Sequence, residues 1–283
     1  MHPIQPFMKT SVFILALTLG ISAGAWAQQQ IGTWRIVSAT YTNAKMKRES
    51  VDQSKHHELK IITPTHFMWI TYEPDKANPG RKVFGGAGGG RYTLNGIKYV
   101  ETLEYASWAG YESNITDFSL RVEGDKMYQM GALSNQEGEK TIIEEEWQRE
   151  NVPPQDGKLV GTWHLQSQKV TGAGGKAATM DMAGHTKVKI ITPTHWMFIA
   201  ENNQNGKREF VQADGGTYTL RGDRCLEKSE FVPGMQADYA WRLEGDKLVV
   251  AGTQTDANGQ QYTFDEVYQR EKEPSRKLAG RVK

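Results

Sequence analysis

The sequence predicts an all-β protein made of two tandem antiparallel meander barrels, each of about eight to ten strands. Three observations carry this. Lys60-Ile61-Ile62-Thr63-Pro64-Thr65-His66 recurs as Lys189-Ile190-Ile191-Thr192-Pro193-Thr194-His195, a spacing of 129 (189 − 60), so the chain holds one domain twice. Apolar and polar residues alternate with period two, as in Trp34, Ile36 and Ser38 against Arg35 and Val37. Turn residues fall every ten or so positions: Asn95-Gly96, Gly124-Asp125, Gly245-Asp246 and Asn258-Gly259 supply the positive φ of tight hairpins.

The elements follow in order along the 283 residues. Residues 1–27 read as a signal peptide. Lys9 gives the positive start, Ser11 to Ala23 the short apolar run, and Ala25-Trp26-Ala27 the small-x-small cleavage site, with the cut after Ala27. Either Met1 or Met8 can be the start. The expected location is secreted or periplasmic, with no membrane span after cleavage, because the apolar run is short and Gln28-Gln29-Gln30 follows it. Residues 28–150 form the first barrel, 151–158 a Pro-rich linker, 159–271 the second barrel and 272–283 a disordered polar tail. Matches outside the opening motif fix the second domain: Gly32-Thr33-Trp34 with Gly161-Thr162-Trp163, Tyr92-Thr93-Leu94 with Tyr218-Thr219-Leu220, and Trp147-Gln148-Arg149 with Tyr268-Gln269-Arg270. Arg48 to Glu58 can hold a short helix. A meander of hairpins favours closure, which removes exposed edges.

Composition excludes several classes. A net charge of +1 without a long basic run excludes nucleic acid as the main partner. One cysteine, Cys225, allows no intrachain disulfide and no cysteine zinc cluster, and it reads as a small buried apolar residue. Gly85 to Gly90 lacks the Lys-Ser/Thr ending and the following helix of a phosphate loop, so it reads as a barrel-mouth loop or bulge. His66 and His195, one per domain, form no metal-binding spacing. They read as strand-start residues bonding the Thr-Pro-Thr turn, or as ligand contacts. No cofactor and no metal is expected. Asn114-Ile115-Thr116 is a glycosylation triplet of the kind that arises by chance.

Gly-x-Trp on the first strand with Arg on the last resembles the calycin signature of lipocalins and fatty-acid-binding proteins. The ordered set Gly-Thr-Trp, Lys-Ile-Ile-Thr-Pro-Thr-His-Phe, Gly-Gly-x-Tyr-Thr-Leu, Glu-x-x-Glu-Tyr, Glu-Gly-Asp-Lys and Glu-x-Trp-x-Arg is similar to a bacterial secreted lipocalin-like family of unknown function. The second domain departs by Trp196 for Phe67, Phe231 for Tyr105 and Tyr268 for Trp147. The resemblance implies that Arg149 lies over Trp34, and Arg270 over Trp163, closing one end of each lipocalin-like barrel. It implies no established activity.

The interior candidates follow from strand parity. Glu101 and Glu227 share faces with mostly apolar or small neighbours, as do Glu145 and Glu266. Arg149 and Arg270, four residues further along on the same strand face, are the expected ion-pair partners, since an unpaired buried carboxylate is costly. Without them the pocket would prefer polar or cationic ligands. Trp69, Tyr92, Tyr105, Trp147, Phe198, Tyr218, Phe231 and Tyr268, with His66 and His195, complete the candidate ligand set. The leading expectation is a non-catalytic binding protein holding small, partly apolar molecules, up to one per barrel. The alternatives are a hydrolase using Glu101 with Glu145, or Glu227 with Glu266, on a carbohydrate or ester, and a filled-barrel interaction module.

Overall fold

The computed structural model describes residues 28–272 except 53–55, 79–81, 111–114, 135–137, 173 and 205. The expected signal peptide, the tail beyond Lys272 and the Asn114 triplet lie outside the described residues, in whole or in part. The first sheet comprises β1 (Gly32–Thr42), β2 (Arg48–Ser50), β3 (His57–Ile62), β4 (His66–Pro74), β5 (Lys82–Asn95), β6 (Lys98–Ala106), β7 (Ile115–Glu123), β8 (Lys126–Ser134) and β9 (Lys140–Arg149). The second comprises β10 (Gly161–Thr171), β11 (Ala177–Thr179), β12 (His185–Ile191), β13 (His195–Gln204), β14 (Lys207–Arg221), β15 (Arg224–Ser229), β16 (Gln236–Glu244), β17 (Lys247–Thr255) and β18 (Gln261–Arg270).

Each sheet closes on itself. β1 pairs with β3 on one side and β9 on the other, and β10 pairs likewise with β12 and β18. The result is two eight-stranded antiparallel barrels, each with one short extra strand, β2 or β11, against the far half of its first strand. The described residues between Arg48 and Glu58 form no helix: Arg48–Ser50 pairs with Thr40–Thr42, and β3 starts at His57. Of the two expectations for the Gly-rich run, loop or bulge, the structure shows bulges within a strand. Gly85–Gly90 lies within β5, interrupted by bulges opposite Thr71/Tyr72 and at Gly89/Gly90. At Gly90 a Cβ would fall 2.0 Å from the Thr102 carbonyl oxygen, so the bulge requires glycine. No helix among the described residues is long and apolar enough to cross a membrane.

Strand alternation sends one set of side chains into each barrel and the other outwards. Trp34, Ile36, Ile62, Phe67, Tyr99, Met127 and Trp147 form the first interior. Trp163, Leu165, Ile191, Trp196, Tyr239, Leu248 and Tyr268 form the second. A third apolar cluster joins the outer faces of the two barrels. Leu59, Ile61, Met68 and Ile70 meet Val188, Ile190, Met197 and Ile199, their counterparts 129 residues on.

The repeated motif explains this interface. Alternate residues face opposite ways, so Lys60 and Ile62 enter the barrel while Ile61 enters the junction. The turn threonines cross between domains reciprocally: Thr33 bonds Thr192 at 2.7 Å, and Thr162 bonds Thr63 at 3.0 Å. Equivalent patches thus meet each other, as in an isologous dimer held within one chain. Tyr72 stacks on Phe231 with ring centroids 4.5 Å apart, and Phe84 on Phe210 at 5.1 Å.

Candidate functional site

The floor of each barrel is the same. Trp34 Nε1 donates to the Gln30 carbonyl at 2.7 Å, and Trp163 Nε1 to the Leu159 carbonyl at 2.8 Å. The Arg149 guanidinium lies 4.0 Å from the Trp34 ring centre, and that of Arg270 lies 4.1 Å from Trp163. Gly32 and Gly161 have φ of 142° and 144°, and a Cβ there would strike the guanidinium. The Gly-x-Trp…Arg pattern is a closed plug built from local backbone contacts and a cation–π pair.

Because the arginines sit on the floor, they do not pair with the interior acids as expected. That role falls to the first residue of the repeated motif. Lys60 Nζ bonds Glu101 Oε1 at 2.5 Å and Gln129 Oε1 at 2.9 Å, and Lys189 Nζ pairs with Glu227 at 2.5 Å. Both lysines are buried, and aromatic rings surround them: Phe67 and Tyr99 for Lys60, Trp196 and Tyr239 for Lys189. A lysine at the same place in both repeats, one position from apolar residues on either side, is the sequence signal for this pair.

Above that level the barrels diverge. Barrel 1 holds a cavity of about 450 Å³, within the usual size of small-molecule sites. Its walls are aromatic and aliphatic: Tyr41, Trp69, Leu103, Trp108, Phe118, Ile143 and Trp147. Its polar groups are His56, Glu58, Lys60, Glu101, Gln129 and Glu145, with three threonines. The Trp69 ring lies over Gly88, where a Cβ would come within 2.9 Å of it, and it stacks on Trp108 at 5.9 Å. Glycine in β5 thus lets a large side chain lie flat on the wall and leave the centre open.

Barrel 2 retains about 40 Å³, room for a few waters. Asp214 replaces Gly88 opposite Phe198, Trp196 replaces Phe67, and Phe264 replaces Ile143. Lys187 reaches inwards from the position of Glu58 and pairs with Glu266 at 2.9 Å. Tyr268 Oη and Gln168 Nε2 donate to the same carboxylate. Burial raises the Glu266 pKa, but the Lys187 charge and these hydrogen bonds outweigh it and hold the carboxyl below its ordinary value.

Glu145, the counterpart of Glu266, stands in the opposite environment. Trp147 Nε1 donates to it at 3.2 Å, and it forms no ion pair among the described residues. Burial, with the charges of Glu58 and Glu101, pushes its carboxyl up to about 8 despite Lys60 nearby. Glu58 is held by His56 Nε2 at 3.0 Å, and that hydrogen bond raises the imidazole pKa.

Of the candidate residues, Trp69, Glu101, Glu145 and Trp147 line the barrel 1 cavity, and Phe198, Glu227, Glu266 and Tyr268 pack inside barrel 2. The others line neither cavity. Tyr92 and Tyr218 pack within the barrel interiors and donate to the carbonyls of Thr63 and Thr192, bracing the motif corner. The bulge at Gly89/Gly90 shifts parity along β6, so Tyr105 and its counterpart Phe231 face the junction. His66 and His195 lie outside the barrels, fully buried at the same junction. His195 Nε2 is 3.0 Å from Glu230, whose other partner is Arg35 at 2.8 Å. Burial raises the Glu230 carboxyl, but His195 and Arg35 outweigh it and hold it down at about 2.

The mirror site differs by two exchanges, His164 for Arg35 and Arg91 for Thr217. His164 stands where the first repeat has Arg35, and its Nε2 is 2.9 Å from Glu271. His66, His164 and Glu271 bring three metal-ligand atoms within 4.8 Å. Arg91 pairs with both Glu104 and Glu271 at 3.0 Å, so a guanidinium supplies the cation there as Arg35 does in the other half. The cluster is an interface ion-pair network.

No protein-family model matches the chain, nor does any curated protein. Among solved structures it is similar to a protein of unknown function of the DUF3598 family from Nostoc punctiforme, 11% identical, covering 88% of this chain and 99% of that one with a TM-score of 0.26. It is also similar to transferrin binding protein B from serogroup B Neisseria meningitidis, 5% identical, covering 85% of this chain and 77% of that one, again with a TM-score of 0.26. Likenesses this weak carry no argument about fold or function.

Proposed function

We propose that the protein is a secreted or periplasmic binding protein. On this reading barrel 1 holds one small, partly apolar molecule, and barrel 2 is a filled scaffold that braces it. The observation that carries it is the contrast between a cavity of about 450 Å³ and one of about 40 Å³ in two copies of the same fold. The expectation of a ligand in each barrel narrows to one. The reading is non-catalytic. Lys60 occupies Glu101, so the Glu101/Glu145 pair offers a single free acid rather than the two that hydrolysis across a glycosidic bond requires. Glu227 and Glu266 are each tied to a lysine.

The test is native mass spectrometry of protein purified from its own host without added ligand. One co-purifying small molecule per chain is expected. It should be lost when Thr116→Trp fills the cavity while far-ultraviolet circular dichroism stays unchanged. An empty chain that also takes up no apolar probe overturns the proposal.

A further inference from the structure

The two barrels are alignable position by position, so each interior group in one has a counterpart in the other. Four positions form a set. In barrel 2, the Lys187 ammonium lies 2.9 Å from Glu266, 4.7 Å from the Phe198 ring centre and 5.9 Å from that of Tyr268. It is a cation held by one carboxylate and two aromatic faces. In barrel 1 the corresponding carboxylate is Glu145 and the corresponding rings are Trp69 and Trp147, all lining the cavity. The holder is intact, and tryptophan is the stronger cation–π partner. What is missing is the ammonium: its position is Glu58, a charge of the opposite sign.

Resting on the reading of barrel 1 as a ligand cavity, we propose that its ligand is an organic ammonium ion. The cationic head sits between Glu145 and Glu58 against Trp69 and Trp147, where Lys187 places its own ammonium in barrel 2. The apolar part of the ligand fills the space towards Leu103, Phe118 and Ile143.

Carboxylates outnumber cations around the seat, Glu58, Glu101 and Glu145 against Lys60 and His56, and Lys60 stands 5.7 Å from the Trp147 ring centre. Glu145 on β9 faces Glu58 and Lys60 from β3, Tyr41 from β1, Glu101 from β6 and the neutral Gln129 from β8, with His56 at the cavity edge. Lys60 is committed to Glu101, and His56 to Glu58. Glu145 alone has no cationic partner among the described residues, and its carboxyl is accordingly pushed up to about 8. A bound ammonium and a proton therefore compete for the same carboxylate.

Isothermal titration calorimetry of the full chain with three matched probes tests this: 4-phenylbutylammonium, 4-phenylbutan-1-ol and 4-phenylbutyrate. At pH 8.5 the ammonium is expected to bind at least tenfold more tightly than the alcohol, and the carboxylate not at all. Between pH 8.5 and pH 6.5 the ammonium should weaken by roughly 20–30-fold as Glu145 takes up its proton, while the alcohol stays constant. Glu145→Gln should erase the preference and the pH dependence yet still bind the alcohol, which shows that the barrel is folded. Glu58→Lys recreates the barrel 2 arrangement and should abolish ammonium binding. Equal affinity for ammonium and alcohol, or a preference that survives Glu145→Gln, overturns the cation seat and leaves the cavity reading standing. If no probe binds, the cavity reading falls and takes this inference with it.

Discussion

The two barrels share their floor and their junction but not their interior. At the floor, Trp34 with Arg149 and Trp163 with Arg270 differ by 0.1 Å in ring-to-guanidinium distance (4.1 − 4.0). One level up, Lys60–Glu101 and Lys189–Glu227 are equal in length. In the rest of the interior, four exchanges make one barrel hollow and the other solid: Gly88 for Asp214, Phe67 for Trp196, Ile143 for Phe264 and Glu58 for Lys187. The Trp–Arg plug and the Lys–Glu pair are kept in both barrels, and the side chains around them change. The difference separates what the fold needs from what a ligand would need.

The largest expected effect breaks the shared level. Lys189→Met leaves Glu227 buried and unpaired in a solid interior and should cost ~3–5 kcal/mol in urea unfolding. Lys60→Met strands Glu101 beside a cavity that water can enter, so its cost should be smaller, about 1–3 kcal/mol. Equal losses would mean that the interiors are equally dry.

pH separates the hollow barrel from the junction. Glu230 is held at about 2, below its unfolded value, so its stabilisation is present above about pH 4.5 and is lost as pH falls towards 2. That loss, on the order of 2–3 kcal/mol, weakens the junction in acid. Glu145 has the opposite sign. Its folded carboxyl titrates near 8, so the folded chain keeps a proton that the unfolded chain has released, and stability falls as pH rises from about 4.5 to 8. Open to the cavity, this effect should be on the order of 1–2 kcal/mol. Thermal melts should therefore show Glu145→Gln raising the midpoint at pH 8 and not at pH 4. No counterpart is expected for Glu266→Gln, because Lys187 already serves that carboxylate. The smallest effect tests the sameness of the floors: Arg149→Met and Arg270→Met should each cost about 1 kcal/mol, and by the same amount.

Much of this architecture was legible in the sequence. The duplication and the strand periodicity are patterns in the residues themselves, and the Arg149–Trp34 contact implied by the calycin resemblance is present. The interior acids Glu101 and Glu145 were readable from parity alone. The failures have physical reasons. His66 and His195 bond the turn threonines Thr65 and Thr194, as the strand-start reading has it, whereas Tyr105 and Phe231 leave the expected pocket because an aromatic residue on a strand has two faces available. Only the third apolar cluster shows that the outer face is buried as well. The bulge at Gly89/Gly90 reversed parity for Tyr105, and a bulge leaves little trace beyond its glycines. Lys60 and Glu58 are buried although charged residues in a strand usually face solvent, so their types alone point outwards. Hollowness is a sum over many side chains and has no local signature.

The central claim is that one barrel of the two is a binding cavity. Fluorescence titration with N-phenyl-1-naphthylamine, a neutral apolar probe, measures this as a count of sites per chain. One site is expected, lost in Thr116→Trp within barrel 1 and unchanged in Gln254→Trp in the lining of barrel 2. Two sites per chain, or a single site lost only in the barrel 2 variant, would contradict it.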